Sequence, residues 1–394
     1  MRKIIVQVVL HLESAIVSCI WRIMQIFPID TKKVIFESEG DFCDNSWALY
    51  MYMRKHCPGF KYIWIVRHPE DFKRSKDTVF TSRFGRGVHF CALYHYSTAR
   101  FSFHTHGTMR PWLPRNGQIV VALWHGAPIK GNKYVNEDYY DYSTVIGNAA
   151  VPLNIKFMGK GTPDNTLPLG YPRNDILVSN MEPGSENPFA SVKYDKVLLW
   201  MPTFRKSGNV AISEAACDNE TGIPLLSTKS ALSAFDEFLG SINVAILLKI
   251  HHLQADKPVF SEKFSNIMIV TDGDLRKRNI QLYEMVGKTD ALITDYSSIG
   301  YDYLLTDKPQ AYILDDIEEY SSGRGFIVEG LDEVKKLMPG RHVYDVEGLK
   351  AFVRDVVAGK DECKTERREM REKFHSAPDG DACKKICDWF GIGS

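Results

Sequence analysis

The segment DALITDYSSIGYDYLL, residues 290–305, decides the class of fold because an apolar run leads directly into a polar, helix-compatible stretch. The run before Asp295 has the length and residue types of a buried strand. Ser297 and Ser298 follow it and predict the start of a helix. A strand that leads into a helix is one half of a βαβ unit, and repeated units of this kind build parallel sheets.

The same rhythm extends in both directions from this segment. Strands are predicted at residues 32–38, 61–67, 99–105 and 118–125, and again at 196–203, 244–251, 266–270, 290–295 and 310–314. Helices are predicted at residues 46–56 and 227–240, and residues 345–392 have a largely helical pattern. Two sets of alternating strands and helices predict an α/β protein with two parallel-sheet domains.

A stretch rich in Ser, Asn, Pro and Gly at residues 178–192 predicts the hinge between these domains. We therefore expect an N-terminal domain over residues 29–180, a C-terminal domain over residues 190–345 and further helices over residues 346–394. Ligands of doubly wound sheets bind beyond the carboxyl ends of the strands. The residues that follow each predicted strand are therefore the candidates for a functional site.

The composition is that of a folded globular protein, and its net charge does not favour binding to nucleic acid. Of its 394 residues, 49 are Lys or Arg and 49 are Asp or Glu, so no net field attracts polyanions. Eight cysteines without a C-x-x-C pair favour a reducing compartment over a disulfide framework or a zinc ribbon. The Walker A, G-x-G-x-x-G and G-x-S-x-G motifs are absent from the sequence, so ATP hydrolysis, dinucleotide binding and esterase chemistry lack their usual loops.

Residues 4–27 are apolar apart from one polar stripe, and they predict an amphipathic helix within an N-terminal segment 1–28. The stripe consists of Gln7, His11, Ser14, Ser18, Arg22 and Gln25. Glu13 and Arg22 interrupt the apolar run and no small-residue cleavage site follows, which argues against a transmembrane helix and a signal peptide. Such a helix needs an apolar surface, which is either a membrane interface or the protein's own core or a partner subunit.

The first candidate site follows the predicted strand at 118–125, which ends in His125. Gly126 comes next and lets a ligand approach the backbone closely. An imidazole at this edge of the sheet is suited to general acid–base chemistry. A lone histidine is more often structural, so this motif gains weight only from the company of the other strand ends.

Two further strand ends carry hydroxyl, cationic and imidazole groups. Pro202 ends one strand and is followed by Thr203 and Arg205, whose guanidinium can clamp phosphate oxygens. The alternative for this turn is a solvated basic loop. The strand at 244–251 places Lys249 and His251 on one face because side chains alternate along a strand.

The most specific candidate is the turn that holds Ser297 and Ser298. The free N–H groups at the start of the predicted helix form an anion site suited to a pyrophosphate. Asp302 lies one turn further on, where a carboxylate can accept a hydrogen bond from a ribose or polyol hydroxyl. The alternative is that Ser297 merely caps the helix.

Two other motifs resemble metal sites. The sequence Asp272-Gly-Asp274 is similar to the D-x-D clasp of some nucleotide-sugar transferases, although a polar turn explains it equally well. His104 and His106 alternate near a strand end, but no third residue has ligand spacing. We therefore expect no metal site.

Seven short motifs taken in order resemble the CDP-glycerol glycerophosphotransferase family, which includes teichoic-acid primases and polymerases and related capsule enzymes. They are HGAPIK (125–130), GYPRND (170–175), PTFR (202–205), KIH (249–251), ITDYSS (293–298), RGF (324–326) and DG (379–380). The likeness spans residues 118–390 and depends on the joint order and spacing of the motifs. It is much weaker over the first 117 residues.

The resemblance implies a GT-B fold, in which two Rossmann-like domains face each other across a cleft. It also implies metal-independent transfer of glycerol phosphate from CDP-glycerol with release of CMP. The donor-binding residues carried over by motif are His125, Gly126, Ala127, Pro128, Ile129, Arg173, Pro202, Thr203, Lys249, Ile250, His251, Ser297, Ser298 and Asp302, with Arg205 as a further phosphate contact.

Within this frame we hypothesise that His125 is the general base for the acceptor hydroxyl and that His251 assists the leaving side of the pyrophosphate. Arg173, Arg205 and Lys249 would offset the growing negative charge. Ala127 stands where the family usually has Thr, and His252 follows KIH where Pro is common. These departures leave open another donor, such as CDP-ribitol.

The resemblance also implies work at the cytoplasmic face of a membrane, with a lipid-linked or polymeric acceptor. This favours peripheral membrane association of the helix at residues 4–27. The alternatives are a GT-B glycosyltransferase that uses a nucleotide sugar, and a scaffold protein that binds CDP compounds without turnover. Priming and polymerising enzymes share these motifs, so the sequence does not separate them.

Overall fold

The structure is a computed structural model, and its strands and helices agree closely with the predicted alternation of these elements. Each half of the chain contributes one sheet, and helices pack on both. The model describes residues 15–83, 88–110, 112–127, 129–132, 139–181, 193–203, 220–250 and 263–393.

The first half forms a seven-stranded sheet in which every neighbouring pair is parallel, in the order β3-β2-β1-β4-β5-β6-β7. The strands are β1 (Asp30–Glu37), β2 (Lys61–Ile65), β3 (Thr78–Thr81), β4 (Ala99–His104), β5 (Ile119–Ala122), β6 (Tyr142–Thr144) and β7 (Thr166–Leu167). The central strand β1 is buried from Lys33 to Glu37 because helices cover both faces of the sheet. Its register pairs Phe36 with Trp64 on one side and with Phe103 on the other.

The second half forms a six-stranded parallel sheet in the order β10-β9-β8-β11-β12-β13. The strands are β8 (Lys196–Trp200), β9 (Val244–Lys249), β10 (Ile267–Val270), β11 (Ala291–Thr294), β12 (Gln310–Ile313) and β13 (Arg341–Val343). Strands β9, β11 and β12 are buried along their whole length. Continuous burial explains why these strands are near-continuous apolar runs in the sequence.

The described helices connect the strands and cover the sheets. The α-helices whose bounds are fully described are Asp44–His56, Phe90–Thr98, Val151–Met158, Pro172–Met181, Lys229–Ser241, Asp272–Lys277, Leu282–Val286, Ile299–Tyr303, Ile317–Gly323, Leu331–Lys336, Val346–Val357, Lys364–Phe374 and Ala382–Trp389. Short 3₁₀ helices are Pro69–Asp71, Asn148–Ala150 and Leu304–Thr306.

All nine strands predicted from the sequence are present, with ends that differ by a few residues. The strands β3, β6, β7 and β13 were not predicted. The last three have only two or three residues, which give too little periodicity. Most of the predicted hinge lies outside the described residues, so the predicted domain limits stay predictions.

One large apolar cluster spans the two halves. It joins residues that follow β5, such as Trp124, to Tyr296 and Tyr312 of the second sheet and to Phe374 of a late helix. The helix Ala382–Trp389 then packs on the first sheet, where Cys383 and Ile386 contact the cluster that contains Phe36, Trp64 and Phe103. The chain therefore returns to the first sheet after it has completed the second.

The N-terminal helix is described from residue 15 and extends to residue 24. Val17 and Trp21 are buried, and Trp21 packs beneath the first sheet and stacks on Trp112 with ring centroids 5.7 Å apart. Ile16, Ile23 and Ile26 are exposed. Within the described part of the chain, we find no helix that is both long and apolar enough to span a bilayer. Gln7, His11 and Ser14 of the predicted polar stripe lie outside the described residues.

Candidate active site

The carboxyl ends of β5, β8 and β11 supply the described core of the site. The segments that follow these strands carry His125, Thr203 and Ser297 respectively. The two halves are linked by hydrogen bonds from Arg173, which lies at the start of the helix Pro172–Met181, to Asp302 of the second sheet's βα unit. The structure thus brings together residues that are far apart in sequence, as the strand-end argument predicts.

His125 is half-buried and is surrounded by aromatic rings. Its imidazole stacks on His106, with centroids 4.8 Å apart and 20° between the planes, and lies 4.2 Å from the ring of Trp124. Its Nδ1 lies 3.4 Å from the carbonyl oxygen of Thr105. A carbonyl can only accept, so in a neutral ring Nδ1 carries the proton and Nε2 is left as an acceptor.

Burial lowers the pKa of His125 from 6.5 to about 3, and the neighbouring His106 and Arg173 act in the same direction while Asp44 opposes them. The ring is therefore neutral at physiological pH. A neutral imidazole with an open Nε2 can accept a proton, which is the property required of a general base.

Gly126 allows the two halves to meet at this point. A Cβ atom built on Gly126 would overlap Oγ and Cβ of Ser298. Any side chain at this position would therefore displace the turn that carries Ser297 and Ser298. The glycine permits the histidine segment of the first sheet to lie directly against the serine turn of the second.

Ser297 and Ser298 are half-buried at the start of the helix Ile299–Tyr303. Ser298 occupies the N-cap position, but its side chain makes no capping hydrogen bond there. The alternative that Ser297 merely caps the helix is wrong about the position, because the N-cap residue is Ser298. The predicted helix is present, with five α-helical residues followed by the 3₁₀ turn Leu304–Thr306.

Arg173 is buried and is paired with two carboxylates. Its Nη1 donates to Asp44 at 3.0 Å, and its Nη2 donates to Asp302 at 2.6 Å and to the carbonyl oxygen of His125 at 2.9 Å. Burial opposes the charge of Arg173, but Asp302 and Asp44 together raise its pKa well above its ordinary value. In this structure Arg173 therefore joins the two halves, and direct contact with the donor phosphate stays a prediction.

Asp302 is also fully engaged by protein groups. Its Oδ2 accepts from Arg173 and from the hydroxyl of Tyr283 at 2.5 Å, and its Oδ1 accepts from the side chain of Asn174 at 3.1 Å. The sequence predicts that the carboxylate of Asp302 accepts a hydrogen bond from a hydroxyl of the donor. The structure instead gives Asp302 a demonstrable role in holding Arg173, and the donor contact stays a prediction.

Two important residues were not identified from the sequence. Asn45 is completely buried, donates through Nδ2 to the carbonyl oxygen of Trp124 at 2.6 Å and accepts the backbone N–H of Arg173 at 3.0 Å. Asp44 beside it binds the Arg173 side chain. In the sequence, Asp44 and Asn45 stand just before the helix predicted at 46–56. Such residues indicate the start of a helix, but they do not show which distant residues their side chains bind.

In the second sheet, Thr203 is held by Asp295. Its backbone N–H lies 2.9 Å from both carboxylate oxygens, and its hydroxyl also donates to this carboxylate. Pro202 is half-buried directly before it. The predicted turn is therefore fixed to the end of β11 rather than solvated at Thr203.

Lys249 is buried at the end of β9, where its Nζ lies 2.9 Å from Asp272 and donates to the carbonyl oxygen of Ile250 at 3.1 Å. Asp274 caps its helix in a reciprocal pair with Thr271. The Asp272-Gly-Asp274 motif is thus explained by an ion pair and a helix cap. Among the described residues, no group of three or more His, Cys, Asp and Glu side chains is suitably placed for a metal ion.

Three of the predicted donor residues point into apolar clusters. Ile250 is buried in the core of the second sheet, and Ala127 and Ile129 are buried in the cluster shared by the two halves. Any contact between these residues and a ligand must therefore use their backbone groups. Pro128, Arg205 and His251 lie outside the described residues, so their predicted roles stay predictions.

Comparison with known proteins agrees with this arrangement. A sequence model of the CDP-glycerol:poly(glycerophosphate) glycerophosphotransferase family matches residues 19–390. The chain therefore belongs to this family of transferases, as its motifs predict.

Among curated proteins, the chain is similar to the teichoic acid ribitol-phosphate primase of Bacillus spizizenii, with 26% identity across 92% of this chain and 92% of that protein. It is also similar to the teichoic acid glycerol-phosphate transferase of Staphylococcus aureus, with 25% identity across 90% of this chain and 91% of that protein. It spans half the length of the teichoic acid poly(glycerol phosphate) polymerase of Staphylococcus epidermidis, at 24% identity across 91% of this chain.

Solved structures give the same fold. The wall teichoic acid polymerase TagF matches with a TM-score of 0.75 and 22% identity, over 98% of this chain and 95% of that one. A UDP-N-acetylglucosamine 2-epimerase matches with a TM-score of 0.52 and 11% identity, over 92% of this chain and 97% of that one. These likenesses confirm the predicted GT-B architecture of two parallel-sheet units.

Proposed function

We propose that this protein transfers glycerol phosphate, or a related polyol phosphate, from its CDP derivative to an acceptor hydroxyl and releases CMP. The acceptor would be lipid-linked or polymeric, in the synthesis of a teichoic-acid-like or capsular polymer. Membership of the glycerophosphotransferase family supports the class of reaction. The observation that carries the proposal is the neutral His125, whose Nδ1 faces the carbonyl oxygen of Thr105, next to Gly126, which lies directly against Ser298.

In the proposed mechanism the acceptor oxygen attacks the phosphorus nearest the glycerol while the bond from that phosphorus to CMP breaks. His125 accepts the proton of the attacking hydroxyl at Nε2. Ser297 and Ser298 hold the phosphate oxygens, and Lys249 stabilises negative charge from the second sheet. Transfer of this kind depends mainly on positioning and charge stabilisation, for which fixed cations and N–H donors are sufficient. We therefore propose that no metal ion is needed.

The strong lowering of the His125 pKa belongs to the protein without its donor. A pyrophosphate brought next to the ring adds negative charge, which favours the protonated form and raises the pKa. The base therefore becomes stronger when the donor binds and remains neutral in its absence. This order of events suits a general base, which has to be unprotonated when the acceptor binds.

Two other donors remain in the proposal as alternatives. The curated relatives include both glycerol-phosphate and ribitol-phosphate enzymes, so CDP-ribitol is the nearest alternative to CDP-glycerol. A nucleotide sugar is the second, because the GT-B fold also occurs in a UDP-N-acetylglucosamine 2-epimerase. Only in a phosphotransferase does the phosphate travel with the transferred group.

Product mass distinguishes these donors. We expect the purified protein, given CDP-glycerol and a lipid-linked or oligosaccharide acceptor, to release CMP and to add one or more glycerol phosphates to the acceptor. EDTA should leave the rate unchanged. Turnover of CDP-ribitol alone would keep the mechanism and change the donor. Transfer of an unphosphorylated sugar, or CDP binding without turnover of any CDP-polyol, would contradict the proposed reaction.

We also propose that the N-terminal helix attaches the protein peripherally to the cytoplasmic face of the membrane. The inner face of this helix is occupied, because Val17 and Trp21 pack against the protein. Its outer face exposes Ile16 and Ile23, and the turn that follows it exposes Ile26. Together they form the kind of apolar surface that an interfacial helix inserts between lipid headgroups.

We expect the triple replacement of Ile16, Ile23 and Ile26 by serine to reduce co-sedimentation with anionic phospholipid vesicles without lowering the thermal stability. These three side chains contribute exposed apolar area, while Val17 and Trp21 stay in place. A matched control replaces Tyr344, which is 49% exposed on the second half, by serine. Equal vesicle binding by the wild type, the triple variant and the control would contradict membrane attachment through this helix.

A further inference from the structure

The hydrogen bond that orients His125 is long. Its Nδ1 lies 3.4 Å from the carbonyl oxygen of Thr105, whereas strong N–H···O bonds in proteins are usually 2.7–3.2 Å between heavy atoms. A contact of this length restrains the ring only weakly. The direction of Nε2, which has to face the acceptor hydroxyl, therefore requires a second restraint.

Two rings lie against that of His125: the ring of Trp124 is tilted by 36°, and the ring of His106 provides the more nearly parallel restraint. It lies nearly parallel to the ring of His125, with 20° between the planes and 4.8 Å between the centroids. A parallel neighbour blocks rotation of the His125 ring out of its plane on that side. Thr105 therefore contacts the imidazole of His125 through its backbone carbonyl oxygen, and His106 contacts the same imidazole through its side-chain ring.

His106 is itself held in a single orientation. Its Nδ1 accepts the backbone N–H of Glu39 at 3.2 Å, which leaves the proton of a neutral ring on Nε2. This Nε2 lies 3.7 Å from a carboxylate oxygen of Asp44, the same residue that binds Arg173. The charged groups that face His106 are therefore Asp44, Glu39 and Arg173.

The segment that carries His106 is also firmly anchored. Thr105 is completely buried, and its hydroxyl contacts the backbone N–H and the hydroxyl of Ser46 at 3.0 and 2.8 Å. Just beyond His106, Glu37 accepts from the hydroxyl of Thr108 at 2.7 Å and from the backbone N–H of Met109 at 2.6 Å. His106 therefore projects from a rigid support on both sides.

We propose that His106 is a positioning residue, which holds the imidazole of His125 by ring stacking so that Nε2 faces the acceptor hydroxyl. It carries no proton in the reaction. This inference builds on the proposed function, because it assigns a support to the base of that reaction. It predicts that a flat ring is required at position 106, while the nitrogens of this ring are not.

Three variants separate stacking from hydrogen bonding. His106→Phe keeps a flat ring and loses both nitrogens. His106→Gln keeps an acceptor for the N–H of Glu39 and loses the ring, and His106→Ala loses both. We expect His106→Ala and His106→Gln to reduce kcat about tenfold to a hundredfold, with little change in KM for CDP-glycerol, and His106→Phe to recover most of kcat. Wild-type activity by His106→Gln with loss in His106→Phe would overturn the proposal.

A second measurement does not depend on turnover and keeps this proposal separate from the proposed function. Nitrogen-15 NMR of histidine-labelled protein reports which ring nitrogen of His125 carries the proton. We expect one Nδ1–H tautomer in the wild type and in His106→Phe, and a mixture in His106→Ala. A single tautomer in all three proteins would overturn the inference, even if no CDP-polyol proved to be a substrate.

Discussion

Replacement of His125 by alanine is expected to reduce kcat for CMP release from CDP-glycerol by about a hundredfold to ten-thousandfold, the usual contribution of a general base. KM for CDP-glycerol should change much less, because the ring acts on the acceptor proton. Steady-state kinetics with saturating acceptor measure both constants. His68→Ala is the matched control, because His68 is an exposed histidine on the same half of the chain.

The pH dependence adds an independent check on His125. Its pKa is about 3 in the folded protein and 6.5 in the unfolded chain, so the unfolded chain takes up the proton first as the pH falls. The free energy of unfolding should therefore decrease through this group below about pH 6.5 and continue to decrease towards about pH 3. His125→Ala should be less sensitive to acid than the wild type. Turnover that survives this substitution while donor binding falls would remove His125 from the role of base.

Replacement of Arg173 by methionine is expected to destabilise the protein by about 3–5 kcal/mol, because it leaves the buried carboxylate of Asp302 and the half-buried carboxylate of Asp44 without their shared cation. Asp302 is 1% exposed, and Asp44 is the second carboxylate bound by the same guanidinium. Urea unfolding of the wild type and the variant measures the difference. The decrease in the free energy of unfolding should include the loss of a contact between the two halves, because Nη2 of Arg173 also donates to the carbonyl oxygen of His125.

A surface ion pair provides the control for Arg173. Arg368 pairs with Asp307, but the Arg368 side chain is 57% exposed, so Arg368→Met should change the free energy of unfolding by no more than about 1 kcal/mol. In the double variant Arg173→Met with Asp302→Asn, part of the loss should be recovered, because one uncompensated charge is removed. An effect of Arg173→Met as small as that of Arg368→Met would show that the buried cluster is not structural.

Local sequence patterns predicted the strands because these are long apolar runs buried on both faces. The same logic located His125, Thr203 and Ser297, since each follows such a run at the edge where ligands bind. Asp44 and Asn45 escaped prediction because their partners lie 79 to 129 residues away in sequence, beyond the reach of periodicity.

The predicted roles of individual residues were less secure than their positions. Arg173 and Asp302 were both predicted as site residues, but the sequence could not show that they bind each other. His106 was considered only as a metal ligand, because the sequence gives the spacing of histidines but not the stacking of their rings. Motifs identify the polar residues of a site, whereas their pairing follows from the way the two sheets meet.

The return of the helix Ala382–Trp389 to the first sheet has a consequence for the order of folding. The core beneath β1 and β4 includes Cys383, Ile386 and Ile392, which follow the entire second sheet in the chain. During synthesis the N-terminal half therefore emerges with part of its apolar surface uncovered, and contacts of such long sequence separation form slowly. The core of the first sheet can therefore be completed only after the second half of the chain has been synthesised.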